Sequence, residues 1–257
     1  GEGSRTVTVS ADGTLSTTST ASSSYSNETQ IQIGSGTAAS GTNSTALGAG
    51  ADASGDYSTA LGTGSNASGN YSTAIGSGST ASGNTSFASG NNTTASGTYS
   101  TAMGSGSTAS GNTSFASGNN NTASGIYSIA IGTGTNSSAR ATTAIGNNTT
   151  ASSQYAVAIG TGTNASGDAA IAMGNNTTAS SNYAVALGTG TTANGNSAFA
   201  IGNSTTASGN NSTALGNNTT ASDFGSLVIG QFNSSGSSAT SAGSYNSENT
   251  AFVIGNG

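Results

Sequence analysis

Few side chains in this chain can do chemistry, and those that can are scattered. Eight carboxylates (Glu2, Asp12, Glu28, Asp52, Asp56, Asp168, Asp223 and Glu248) and two guanidinium groups (Arg5 and Arg140) are the charged side chains. Only Asp52 and Asp56 stand close in sequence. The pair could approach a cation, but calcium takes six to eight oxygen ligands and no Asp pattern repeats, so solvated loop acids are the default reading. Without His, Cys or Lys, neither a serine-based triad nor a zinc or haem site can be assembled, so no catalysis, cofactor or metal is expected. A net charge of −6 without a basic stripe excludes nucleic acid as a partner, because phosphate binding relies on clustered Lys and Arg. No apolar run reaches 18 residues, so no membrane contact by this chain itself is expected. The opening residues do not read as a signal peptide, which places any targeting signal outside this chain.

What does recur is aromatic. Tyr71, Tyr99, Tyr127, Tyr155 and Tyr183 are spaced by 28 residues, with Tyr57 out of phase. Aromatic faces with hydroxyls suit carbohydrate, which makes these five candidates for facing a ligand. The competing reading is packing at a corner of the fold or between protomers. Blocks such as Asn91-Asn-Thr-Thr94 could present amide and hydroxyl arrays to a glycan, another surface or ice, or could cap corners and form Thr ladders. Asn-x-Ser/Thr sequons at Asn27, Asn43, Asn66, Asn92, Asn148 and Asn176 are numbers that composition alone would generate.

The element that must position these residues is set by glycine, which recurs every fourteen residues from Gly34 to Gly230. Fixed self-similarity marks a solenoid whose units contact mainly their neighbours. The residue before the recurrent glycine is Ile, Leu or Met in thirteen of fifteen turns, Ser89 and Ser117 being the exceptions. Ala stands two places before it from Ala46 to Ala214, and Ala or Ser stands five places after it. Each turn therefore reads as two short strands and two corners. Gly and Thr at this density disfavour helix, and no 3.6-residue period appears. Turns stacked as parallel strands about 4.8 Å apart give a rod on the order of 70 Å long.

Alternation along a strand places Ala inward, leaving a thin interior, and places the residue before the glycine outward. Leu47, Leu61, Ile75, Met103, Ile131, Ile145, Ile159, Met173, Leu187, Ile201, Leu215 and Ile229 then form an exposed apolar ladder. Exposed stripes of that extent mark an interface, so a homo-oligomer burying this ladder is expected. Phe87 and Phe115 fall in the turns whose pre-glycine residue is Ser, a pattern of volume compensation.

Asn43-Ser-Thr-Ala-Leu-Gly48, Tyr71-Ser-Thr-Ala-Ile-Gly76 and Ala81-Ser-Gly83 closely resemble the head repeats of trimeric autotransporter adhesins. The resemblance covers roughly residues 30–230. It implies an all-β, left-handed parallel β-roll, three of which pack side by side into a homotrimeric head. Similar repeats occur in phage tail fibres and secreted fibres. No heptad stalk or membrane-anchor barrel is present in this chain, so a fragment and a soluble fibre are both open readings. Leu227-Val-Ile-Gly230 and Phe252-Val-Ile-Gly255 resemble a junction to a stalk or next domain.

The expected organisation is a cap or lead-in over residues 1–29, head repeats over 30–230, and a Ser/Gly-rich loop with a terminal strand over 231–257. Within the first segment, Val7 and Val9 alternate with polar residues, and Asp12-Gly13 reads as a hairpin turn before Leu15. The expected function is a non-enzymatic extracellular or cell-surface head that attaches to a glycan, matrix or abiotic surface through multivalent weak contacts. The alternatives are a structural segment of a phage or secreted fibre, which would place it on a virion or outside the cell, and an ice-binding solenoid.

Overall fold

The computed structural model describes residues 5–9, 15–19, 30–235 and 242–255, and none of these is helical. The hairpin turn expected at Asp12-Gly13 and the sequon at Asn27 lie outside the described residues. Arg5–Val9 and Leu15–Ser19 pair antiparallel, and the first of them runs beside Ile31–Ile33. The chain divides into two compact units, residues 1–124 and 125–257.

Both units repeat one motif. A strand that includes the inward Ala and the outward residue before the glycine is followed by a glycine corner, a two-residue strand and a second corner. In the first unit the longer strands grow from three residues, as in Thr45–Leu47, to five, as in Phe115–Asn119. In the second they hold five residues from Ile129–Thr133 to Leu227–Gln231. Within each unit, the repeated strands pair in parallel with their counterparts fourteen residues on, so identical positions stack in register: Thr45 on Thr59, Ala46 on Ala60 and Leu47 on Leu61. The short strands form a separate parallel sheet in the same way, with Thr80 on Thr94 and Ala81 on Ala95. At the far end of the second unit, Phe252–Gly255 pairs with Leu227–Gln231 and continues the longer-strand sheet.

The two sheets face each other across alanine. Ala46, Ala60 and Ala74 of one sheet and Ala53, Ala67 and Ala81 of the other are fully buried. Among the described residues, nothing larger than Val, Asn, Thr or Asp is fully enclosed. The recurrent glycine follows from the close stacking of corners. Gly62 has φ 122°, and a Cβ on it would lie 2.7 Å from the carbonyl oxygen of Gly76 in the next turn. Such a contact and such a φ together exclude any side chain.

Hydroxyls fill much of the rest of the interior. Ser58, Ser72, Ser86, Ser100 and Ser114 stack in one buried column, and their hydroxyls find no hydrogen-bond partner among the described residues. Where Ser137 replaces the inward Ala of a short strand, its hydroxyl donates to Thr142 Oγ1 at 2.7 Å, and that hydroxyl donates to the carbonyl of Ala139 at 2.7 Å. In the second unit the serine column keeps Ser128, Thr142, Ser212 and Ser226 at its ends and becomes Ala156, Ala170, Ala184 and Ala198 between them. The buried alanines there form one continuous cluster from Ala144 to Val228.

Candidate functional site

Period-two alternation decides what each sheet shows to the outside. Every residue of the expected ladder from Leu47 to Ile229 lies on the outer face of the longer-strand sheet, and none is buried within a single chain. Met103, Met173 and Ile201 are the most open of them. Beside this ladder runs a second outward column that the sequence reading missed, two residues earlier in each strand. It comprises Ile31 and then Thr or Phe in the first unit and, in the second, mostly Ile129, Val157, Ile171, Val185, Phe199 and Leu227. The signal was present in the same alternation, but recurrent Thr in the first turns masked it. Phe87 and Ser89 share one strand and one face, so the bulk lost at the ladder is restored in the neighbouring column.

The outer face of the short-strand sheet is polar. Thr80, Thr94, Thr108 and Thr122 stack in register in the first unit, and Thr178, Thr192, Thr206 and Thr220 do so in the second. Asp52, Asn66, Asn136 and Asn164 occupy the same position in other turns. A serine two residues further on, such as Ser82, Ser96 or Ser180, adds a second exposed hydroxyl column.

The tyrosines stand at the corner that precedes the longer strand. Tyr71, Tyr99, Tyr127, Tyr155 and Tyr183 are 54–64 % exposed, so a single chain does not pack them away. Each has φ between 58° and 61°, the left-handed region. For a bulky residue this costs on the order of 1–3 kcal/mol, a cost that Asn43 and Asn211 at equivalent corners reduce because Asn tolerates that region. Within each unit the corner N–H donates to a carbonyl in the turn before, as from Tyr71 to Asp56 at 2.8 Å and from Tyr155 to Arg140 at 3.0 Å. Tyr57 lies one turn from Tyr71, and their rings stack with centroids 5.0 Å apart and an interplanar angle of 1°.

The 28-residue superperiod has a steric cause at the other corner. Gly78, Gly106, Gly134 and Gly162 alternate with Asn92, Asn120, Asn148 and Asn176, all left-handed. The Asn carboxamide folds back over the glycine of the preceding turn, so a Cβ on Gly134 would lie 2.6 Å from Asn148 Oδ1. Asn92 and Asn176 also donate to the side chains of Asn91 and Asn175 at 3.0 and 2.9 Å, so these amides bond to one another. Asn121 and Asn233 cap this corner, donating to the carbonyls of Ser117 and Ile229 at 2.7 Å, and at the tyrosine corner Asn70 and Asn182 accept the N–H groups of Asp56 and Asp168 at 3.1 Å.

The acids serve separate local roles. Asp52 faces outward on a short strand, while Asp56 sits at a corner and accepts the Thr42 N–H at 2.9 Å. This bond from the Thr42 backbone, with a second from its side chain, holds the Asp56 carboxyl below its ordinary pKa. Asp223 stands at a corner that most turns give to glycine; it is buried, and its Oδ2 accepts the Thr250 N–H at 3.1 Å, anchoring the approach to the last strand. No group of three or more His, Cys, Asp or Glu converges among the described residues.

One family profile, YadA head domain repeat (2 copies), matches residues 33–51, 53–79, 81–107, 109–135, 137–163, 165–191 and 192–232 in succession. No curated protein sequence matches the chain.

Proposed function

Because the chain belongs to the family of YadA head domain repeats, the head domain of trimeric autotransporter adhesins, we propose that it is a non-enzymatic extracellular head. Three copies bury the ladder and its companion column against one another, and the assembly attaches to a cell, matrix or abiotic surface. The observation that carries this reading is the outward apolar face: twelve ladder residues left open by a single chain, with a second column beside them in register. Apolar surface of that continuity calls for a partner, and a second and third copy offer the same period. With the ladder covered, the corners and the hydroxyl face remain for attachment, and repetition supplies avidity to weak single contacts.

Light scattering on the purified full chain is expected to give three times its 24.1 kDa mass, and a monomer would overturn the trimer. Beads coated with the chain are expected to be retained on cells or on glycan- or matrix-coated surfaces. Retention equal to that of blank beads would favour a structural segment of a phage or secreted fibre instead. One observation favours a second reading, ice binding, namely the paired Thr and Ser columns of the short-strand sheet. That reading requires thermal hysteresis in solution, abolished by Thr178→Tyr and Thr206→Tyr.

A further inference from the structure

The tyrosine corners leave gaps of uniform height. Within each unit every corner residue donates its N–H to the residue just before the corner of the preceding turn, as Thr85 does to Asn70 and Tyr99 to Asn84, so corners repeat at the strand spacing of about 4.8 Å. Where two consecutive turns carry Tyr, the rings stack directly, as Tyr57 and Tyr71 do at 5.0 Å. Between Tyr71 and Tyr99, Tyr127 and Tyr155, and Tyr155 and Tyr183, the intervening corner carries only Thr85, Ala141 or Ala169. Each of these pairs is therefore separated by two turns, about 9.6 Å, with a small residue as the floor.

We infer that each slot takes one pyranose ring of a glycan, sandwiched between two tyrosine faces. An inserted ring lies about 4.8 Å from each tyrosine, inside the usual 4.5–7 Å range for rings in contact. A flat aromatic ring meets its neighbour at about 3.5–4.0 Å and leaves roughly 2 Å of slack in such a slot. A puckered sugar ring with hydrogens on both faces fills that slack. The residues beside the three floors, Asn84, Arg140 and Asp168, are exposed and polar, which suits a ligand rimmed with hydroxyls. They also differ. The Arg140 slot favours a sugar carboxylate, and the Asp168 slot favours neutral hydroxyls as donors.

This inference rests on the attachment reading, and its test separates the two. Thr85→Tyr, Ala141→Tyr and Ala169→Tyr together fill the slots with rings, as Tyr71 already does next to Tyr57, while enlarging the aromatic surface. Saturation-transfer NMR on the full chain uses methyl β-glucopyranoside, methyl β-glucuronide and, as a flat comparator, p-cresol. Both sugars are expected to receive saturation from the native chain and to lose at least five-fold of it in the filled variant. Arg140→Gln is expected to weaken the glucuronide alone. Equal sugar signals in native and filled chains would overturn the slots, as would saturation of p-cresol alone. Dissociation of the filled variant in light scattering would also overturn them, by assigning the corners to contacts between protomers. Beads that still adhere when the slots are filled would leave the attachment reading standing without this site.

Discussion

The two units build the same turn from different hydrophobic loads. In residues 30–124, each turn after the first shows about one large apolar side chain on the outer face of the longer-strand sheet: Leu47, Leu61 and Ile75 beside Thr, then Phe87, Met103 and Phe115 beside Ser or Thr. In residues 125–235 most turns show two, as in Val157 with Ile159, Ile171 with Met173 and Val185 with Leu187. In the middle of the second unit the interior shifts in the same direction, from Ser58, Ser72 and Ser100 to Ala156, Ala170 and Ala184, while Ser128, Thr142, Ser212 and Ser226 stay at its ends. The lesson is that backbone geometry is carried by glycine and the two inward alanine columns, which both units share. The remaining columns are free to tune stability and association.

The largest effect is expected where the units are alike. Ala158→Leu or Ala102→Leu forces a large side chain between two sheets in contact, and each is expected to cost on the order of 3 kcal/mol. Loss of β-type circular dichroism on heating checks this, and equal losses in both units would show the shared frame. Next come the outward columns. Ile159→Asp beside Val157 is expected to weaken self-association by about 2–4 kcal/mol. Ile75→Asp beside Thr73 should weaken it by roughly half as much, since hot spots need surrounding apolar contacts to exclude water. Sedimentation over a dilution series reads both, and equal effects would refute the difference in load.

A smaller effect concerns the hidden hydroxyls. Ser100→Ala removes a buried oxygen without a partner and is expected to stabilise the chain by about 1 kcal/mol. Ala184→Ser is expected to lose about as much, and denaturant midpoints with unchanged slopes would check the pair. The smallest effect is confined to one corner of the first unit. The Asp56 pKa is lowered on folding from 3.8, so its contribution is present above that value and lost as pH falls through the folded pKa. The melting temperature of Asp56→Asn is therefore expected to lie slightly below the native one at pH 6 and to converge with it as pH falls through the lowered folded pKa. A gap independent of pH would assign the difference to something other than this carboxylate.

Much of this was legible because one residue type owned each column. Gly62, Ala60 and Leu61 announce a corner, an inward position and an outward one by recurrence alone, and parallel pairing in register follows from it. The second apolar column escaped because Thr45, Thr59 and Thr73 occupy it first, and Thr is at home on either face of a strand. The alternation of Gly78 with Asn92 was visible as a superperiod, but its cause is steric. The Asn carboxamide covers the preceding corner, a relation between turns that no single turn reveals. The left-handed backbone of Tyr71 was equally hidden, because Asn43 signals that conformation in sequence and Tyr does not. Asp223 read as a scattered acid; only the pairing of the last strand explains why a carboxylate replaces a corner glycine.

The interior of methyls and hydroxyls also sets how the fold answers to temperature. Unfolding ordinary domains raises the heat capacity by about 12–15 cal/mol/K per residue, mostly through newly wetted apolar surface. A turn whose enclosed groups are Ala60, Ala67 and Ser58 wets little such surface, so its increment falls below that range. A small increment flattens the curve of stability against temperature. Stability then changes little between cold and warm surroundings, and the remaining curvature comes from the outward apolar columns.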